Sequence, residues 1–421
     1  MTRETRNPKV RLHLLPALAL LAIGPPLRCR AQTSLALSDA ISQALQSRSS
    51  LRADAERIGA AQGLRKQAAA IPNPEFQFQN ENLRPRQSYT RDVDTLALIN
   101  QPLDVLGKRR QRIALADEGI SRARAQFQLS RYQVVRNVKL AYWTALGAQA
   151  TRDVLRTTEE NFQKIVEYHS AQLGAGAIAE QDYLRVRLES ERLKVSADLA
   201  AFNASQARLE LLKEMGRTSF QDVTLTEPLE PIAAISPAPL DRVLAERADV
   251  QVARAALREA EANARLQQVQ ARPDLNITYG YKRTQLPDML TGVNTALASV
   301  RITLPLTDEN QGNRAAADAD VRRQQQLLAA AEADVRADYY AALQEYQFRH
   351  DEVVNTLEPL RQHAAEISKI AAAAYAEGGT DLLRLLDAER VRLEAELART
   401  RGLVEYRQSI ARLEAAEGVA Q

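Results

Sequence analysis

The chain carries one long segment twice. Residues 51–78 (LRADAERIGAAQGLRKQAAAIPNPEFQF) are matched about 200 positions later by residues 249–278 (DVQVARAALREAEANARLQQVQARPDLNIT). Each copy is a helical stretch rich in Ala, Arg and Gln that stops at a proline and continues as alternating strand residues. After each copy the pattern predicts a second strand and two long helices joined by a glycine-containing turn. We therefore predict an internal tandem repeat, with one order of helices and strands in both halves.

Composition indicates how much of this repeat is helical. Length alone would allow two or three domains in 421 residues. Aromatic residues make up only 5% and charged residues 26%, which is typical of long helices rather than compact mixed cores. Residues with strand preference cluster in four short places. The predicted fold class is therefore mainly α with a small β portion.

Residues 1–31 have the features of a secretory signal peptide. A basic start that includes Arg3 and Arg11 precedes the apolar segment Leu12–Ile23, and Ala31 is a small residue at a plausible cleavage site. About 12 apolar residues are too few for a spanning helix. Six of the 56 basic and one of the 53 acidic residues lie here, which leaves 50 basic and 52 acidic residues. The small excess of basic residues thus belongs to the signal, and a nucleic-acid partner loses its main support.

Cys29 is the only cysteine of the chain. Lipidation would require cleavage directly before it, where Arg28 takes the place of a small residue, so lipidation of Cys29 stays open. Otherwise the mature chain has no cysteine, which excludes disulfides, thiol catalysis and thiolate metal sites. No later segment offers about 18 consecutive apolar residues. The exported chain is then periplasmic, secreted or part of an outer-membrane barrel.

These patterns divide the chain into four parts. The signal peptide (1–31) is followed by a first structural repeat (32–225), a proline-rich connector (226–239) and a second structural repeat (240–421). The predicted helices are Ser38–Ala70, Lys108–Leu173 and Glu180–Met215 in the first repeat, and Leu240–Ala271, Arg314–Tyr375 and Asp381–Glu417 in the second. Lys108–Leu173 spans roughly 100 Å, so the two shorter helices of its half would fit end to end beside it.

Apolar residues on the helices predict lateral packing. Coiled-coil spacing is seen in two series, Leu184, Leu188, Val195, Leu199, Phe202 and Leu209, and Leu383, Leu386, Leu393, Leu397 and Val404. Periodicity alone would fit a soluble periplasmic coiled-coil scaffold. The strands argue against that alternative.

Four alternating strands are predicted, at about 75–83, 94–103, 275–283 and 296–306, as two hairpins with polar loops. Their length suits tilted membrane strands. A barrel cannot close on four strands, and open strand edges are not tolerated in lipid, so several copies must contribute. Three copies would give twelve strands.

Four motifs carry a resemblance to a known family. They are IPNPEFQFQNENL (71–83), QPLDVLGKRRQR (101–112) and the turns YHSAQLGAGAIAEQD (168–182) and YAEGGTDLLRLLDAER (375–390). With them the chain resembles the TolC-type outer-membrane efflux factors over essentially its whole mature length, and most closely their CzcC-type heavy-metal branch. The resemblance implies a homotrimer with a 12-stranded β-barrel in the outer membrane of a Gram-negative bacterium, continued by a periplasmic α-helical barrel.

The resemblance also implies a function and partners. The chain would be a passive channel and not an enzyme, conducting divalent heavy-metal cations from an RND-type inner-membrane pump and a periplasmic adaptor to the exterior. Drug efflux and type I protein secretion remain alternatives. No cofactor is implied.

The family's functional positions can be transferred to this sequence. Helix-turn tips that would dock the adaptor correspond to Gly174, Gly176, Gly378, Gly379 and Thr380, although glycines there could merely end helices. Candidate pore-gate residues are Asp387, Arg384, Tyr375 and Asp182. Asp387, Tyr375 and Asp182 match the family pattern. Arg384 stands where the family has an acidic residue, and Thr380 stands where the family has a basic residue.

Three Asp387 carboxylates in a constriction would attract cations. The alternative is a solvated Arg384–Asp387 pair, three residues apart on the outer face of the helix. The histidines His169, His350 and His363 are isolated, so no metal-coordination motif is predicted. No phosphate-binding loop is found either, so energy would have to come from a partner.

Overall fold

The computed structural model describes residues 33–83, 85–86, 93–285 and 292–418. The predicted signal peptide and Cys29 lie outside these residues. In the first half, elements follow in the order β1 (Thr33–Leu35), α1 (Leu37–Ser47), α2 (Ser49–Ala69), β2 (Glu75–Glu81), β3 (Asp94–Leu103), α3 (Lys108–Gly174), α4 (Glu180–Glu214) and β4 (Val223–Leu225).

The second half contains α5 (Leu240–Glu246), α6 (Ala248–Gln270), β5 (Asp274–Thr284), β6 (Val293–Thr303), α7 (Gln311–Glu352), a π-helical turn (Val353–Leu357), α8 (Glu358–Ala376) and α9 (Leu382–Glu417). Two short helices, two strands and two long helical segments thus follow in the same order in both halves. None of the helices among the described residues combines the length and the hydropathy that a membrane span requires.

Two helices predicted as continuous are broken. Ser38–Ala70 is interrupted at Arg48 and Leu240–Ala271 at Arg247, where the backbone is extended. Each arginine caps the last helix of its half: Arg48 Nη1 donates to the Glu214 carbonyl at 2.8 Å, and Arg247 Nη1 donates to the Ala416 carbonyl at 3.0 Å. The break places these guanidinium groups against helix C-termini, where cations are favoured.

The predicted helix Arg314–Tyr375 is interrupted as well. Its π-helical turn packs against Gly402 of α9, where an added Cβ would collide with Leu357. An extra residue in the turn shifts the helix register locally. The long helix α3 packs against α2 and α4, as the helix lengths predict, and also against α6 and α9.

The four long strands form one antiparallel sheet in the order β2-β3-β5-β6. The register aligns Phe78, Ala97, Tyr281 and Ala296 across the sheet, so one face is apolar and aromatic. The opposite face carries residues such as Gln77, Gln79 and Thr278. Phe76 and Phe78 on the edge strand β2 are 71% and 57% exposed.

Strand bounds differ from the prediction mainly at β6. It covers Val293–Thr303 instead of 296–306, and Pro305 beyond its end has no backbone N–H for the ladder. β2 ends at Glu81 instead of 83, β5 covers Asp274–Thr284, and β3 has the predicted bounds. At Gly280 the neighbouring strand comes so close that an added Cβ would collide with the Ala97 carbonyl.

The parallel pair β1–β4 was not predicted. Tyr142 of α3 joins this pair to the connector, because its hydroxyl donates to the Leu35 carbonyl (2.8 Å) and accepts the N–H groups of Thr226 and Glu227 (3.3 and 3.2 Å). The connector is held again by Tyr339, which donates to the Ala238 carbonyl. These two tyrosines, on the long helices α3 and α7, therefore fix the connector against the helices.

Candidate functional site at the helix tips

The two hairpin tips have the same backbone geometry. Gly176 after α3 and Gly378 after α8 have φ of 71° and 73°. At the first tip, the N–H groups of Gly176 and Ala177 donate back into α3, to Leu173 and Gln172 (both 2.9 Å). At the second, Gly378 and Gly379 donate to Tyr375 and Ala374 (3.1 and 2.8 Å). Both tips are Schellman turns, and their positive φ favours glycine.

Replacing Gly176 by alanine should weaken the first tip by about 1 kcal/mol, because L-residues resist the left-handed conformation. Nothing lies within 4 Å of the added Cβ, so conformation alone decides the outcome. Amide exchange at residues 176–177 should be roughly fivefold faster. Gly174→Ala is the matched control: Gly174 ends α3 with equally open space, and alanine there should slow exchange slightly. Equal effects of the two variants would contradict the prediction.

The tips differ in how the next helix begins. Asp381 caps α9 by accepting the Arg384 N–H at 3.0 Å, whereas Ala179 precedes α4 without a side-chain cap. Gly174, Gly176, Gly378 and Gly379 are exposed and Thr380 is half-buried. All five predicted docking residues thus lie at the tips.

Asp182 lies close enough to Tyr375 to act on it electrostatically, but the Tyr375 hydroxyl is bonded to His169 Nε2 at 2.9 Å. The two rings stack, with centroids 6.1 Å apart and planes 20° from parallel. Burial raises the pKa of Tyr375, and the nearby Asp182 carboxylate adds to this shift. The hydroxyl therefore stays protonated and available as a donor.

Asp387 and Arg384 are both exposed and do not pair with each other. Asp387 Oδ1 instead accepts from Arg390 Nη2 at 2.7 Å, one turn further along α9. Asp387 lies in a groove between α4 and α9, lined also by Arg185, Leu188, Glu189, Arg192, Leu383, Leu386 and Arg390. Asp387 therefore pairs with Arg390 instead of Arg384, and Arg185 and Arg192 line the same groove.

His169 is the residue that sequence reasoning missed. It is 2% exposed, lies on α3 of the first hairpin and bonds to Tyr375 of the second. Its only sequence signal is its position in the tip motif, seven residues before Gly176. Beneath it, Val186, Leu382 and Leu385 form a small apolar cluster between the hairpins. In the described residues, no group of three or more His, Cys, Asp or Glu could hold a metal ion.

The predicted seam on α4 is not buried within the chain. Its side chains are 36–69% exposed, and α4 packs on α3 with a neighbouring face that includes Val186, Leu193 and Leu211. A second exposed apolar stripe follows α7, the π-helical turn and α8, formed by Tyr340, Phe348, Val354, Leu360, Ile367 and Ile370. The seam on α9 is half-buried apart from Leu383, which is 59% exposed.

Two stretches of the chain, residues 40–217 and 240–419, match the model of the family described as outer membrane efflux protein. They cover well over half of the chain, which therefore belongs to this family. The predicted class is thus confirmed: the chain is a channel protein of the Gram-negative outer membrane with a periplasmic helical part, and not an enzyme.

The chain is similar to the cobalt-zinc-cadmium resistance protein CzcC of Cupriavidus metallidurans, with 26% identity over 365 residues, 86% of this chain and 85% of the relative. A membrane protein of Pseudomonas aeruginosa shares the fold at TM-score 0.76 and 20% identity, over 92% and 91% of the two chains. The open state of the MtrE outer membrane channel of Neisseria gonorrhoeae gives TM-score 0.74 and 19% identity, over 91% and 88%. The predicted resemblance to the CzcC-type branch is confirmed.

Proposed function

We propose that three copies of this chain form one passive export channel for divalent heavy-metal cations. The observation that carries the substrate class is the similarity to CzcC, which extends over most of both chains. A conduit should bind its cargo weakly, because an ion that is held tightly cannot leave. The exposed, arginine-flanked Asp387 fits such weak binding better than a coordinating cluster would.

The trimer is supported at both ends of the molecule. The sheet ends in two edge strands, β2 and β6, which in lipid must pair with strands of other copies. In the helical part, the stripe on α4 and the stripe on α7 and α8 are apolar surfaces of the same chain that no helix of the described residues covers. Packing α4 of one copy against α7 and α8 of the next would cover both and close a ring.

A periplasmic adaptor would dock on the tips, and an inner-membrane pump would supply the energy. The tips are suited to docking because both present the same short glycine turn. Two near-equivalent tips in each of three chains would offer six similar sites to the adaptor. The internal repeat thereby provides approximate sixfold symmetry for a partner.

The substrate class is tested in a deletion strain. We expect increased sensitivity to cobalt, zinc and cadmium, restored by the full chain, with unchanged sensitivity to antibiotics. Sensitivity to antibiotics alone would instead support drug efflux. Release of the protein by osmotic shock, without detergent, would support the scaffold alternative.

The pore assignment of Asp387 predicts that Asp387→Asn weakens divalent-cation block of the reconstituted channel by about tenfold. Three carboxylates in one constriction are removed at once, and their summed charge attracts the blocking ion. Block by cadmium would be measured in planar bilayers at low salt. The control is Asp320→Asn, which removes an exposed carboxylate with the same i,i+3 arginine pairing on α7. Unchanged block in D387N would contradict the assignment.

A further inference from the structure

A buried imidazole bridges the two hairpins close to their tips. His169 lies in the last two turns of α3 and is 2% exposed, so both ring nitrogens need partners inside the protein. Nδ1 lies 2.8 Å from the Ile165 carbonyl oxygen, and Nε2 lies 2.9 Å from the Tyr375 hydroxyl. The ring therefore makes one bond within its own helix and one to α8.

The partners fix the direction of both bonds. A carbonyl can only accept, so Nδ1 carries the ring proton and donates to Ile165. In the neutral ring Nε2 is then an acceptor, and the Tyr375 hydroxyl donates to it. The hydroxyl is held by His169 rather than by Asp182, although Asp182 is close enough to act on it electrostatically.

This bond joins parts of the chain that are 206 residues apart. α3 belongs to the first hairpin and α8 to the second, and the hairpins also share the small apolar cluster around Val186, Leu382 and Leu385. A directional bond fixes the relative position of two helices more narrowly than a few aliphatic contacts do. Moving the hairpins apart would break it.

We propose that His169 is a positioning residue of the gate: it holds Tyr375, and with it the second hairpin, against the first in the closed arrangement. This inference rests on the proposed function as a channel and adds a residue to its gate. Loss of the bond should favour separation of the hairpins and hence the open pore. The ring of Tyr168 meets the ring of His169 edge to face. Tyr168 lies on the same helix as His169 and bonds to Gln172 of that helix. It should have no such effect.

The test is single-channel recording of the full-length protein in planar bilayers. His169→Phe keeps a buried ring but cannot accept, and Tyr375→Phe removes only the donor. We expect each to raise the open probability about tenfold, which corresponds to about 1.4 kcal/mol. The open probability of the double variant should not exceed that of either single variant, because the double variant and both single variants lack the same hydrogen bond. Tyr168→Phe should behave like the wild type.

A conservative variant separates positioning from packing. His169→Gln retains an amide oxygen that can accept from Tyr375, so it should restore most of the closed state. If His169 only fills space, H169F would leave gating unchanged and H169Q would lower the thermal unfolding temperature without changing open probability. If neither the wild type nor any of these variants gives a current, the proposed function itself is overturned. If the wild type conducts and the open probabilities of H169F and Y375F equal that of the wild type, the gating role of His169 is wrong and the proposed function still stands.

Discussion

Arg247→Met should lower the free energy of unfolding by about 3 kcal/mol, the largest single-residue effect that we expect in the helical part. The guanidinium side chain is 7% exposed and binds several groups at once. It donates to the carbonyls of Ala415 and Ala416 and to both carboxylate oxygens of Asp249. Methionine fills much of the volume but removes the guanidinium donor from the Ala416 carbonyl and from Asp249 Oδ2, whereas the Ala415 carbonyl and Asp249 Oδ1 keep the N–H groups of Gly418 and Val250. Removing one partner of a buried pair costs about 3–5 kcal/mol, and Asp249 is partly exposed, which places the effect at the lower end.

The measurement is the thermal unfolding of the detergent-solubilised protein, followed by the helical circular dichroism signal. Arg242→Met is the matched control, because Arg242 is exposed and its ion pair among the described residues is with Glu246 one turn away. Its effect should stay within about 0.5 kcal/mol. Arg48→Met should lie between the two, because Arg48 is 25% exposed and bonds one carbonyl and one carboxylate of Glu214. Equal shifts for Arg247 and Arg242 would contradict the capping role.

These two arginines also show why the helix breaks could not be predicted. The sequences around Arg48 and Arg247 contain no proline, and a local pattern continues through both. The carbonyls that the guanidinium groups cap lie more than 160 residues away, at the ends of α4 and α9. The π-helical turn likewise depends on Gly402, which is close in space and distant in sequence. Local periodicity predicts elements, whereas tertiary partners decide where they are interrupted.

The strands and long helices were predictable because their signals are local. Alternation over seven or more residues defined the four long strands, and glycine marked both tips. β1 and β4 have three residues each, too few for alternation to be recognised. The same difference between local and distant signals applies to the candidate site. Motif spacing placed Tyr375 and Asp182 at the tips, but it could not show that the Tyr375 hydroxyl bonds to His169. For Asp387, arginines at i−3 and i+3 were both available, and sequence alone could not choose between them.

Phe202→Asp should abolish the proposed trimer in detergent, leaving monomers at micromolar concentration. Phe202 is 59% exposed and lies within the apolar stripe of α4. In the trimer this stripe would be covered by α7 and α8 of the next copy, and each of the three interfaces would then bury one carboxylate. A buried charge without a partner costs several kcal/mol, and the ring would bear that cost three times.

Size-exclusion chromatography with light scattering would report the oligomeric state. Asn203→Asp is the control, because it adds the same charge one residue along the helix, at an exposed polar position beside the stripe. It should remain trimeric. A compensating change sharpens the test. If α7 and α8 cover the stripe, one of their residues must face the new carboxylate of F202D. Phe348→Lys or Ile367→Lys, whichever lies opposite position 202, should then restore trimers in the F202D background. Trimers of F202D alone that are as abundant as those of the wild type would show that the α4 stripe is covered by something other than a second copy of this chain.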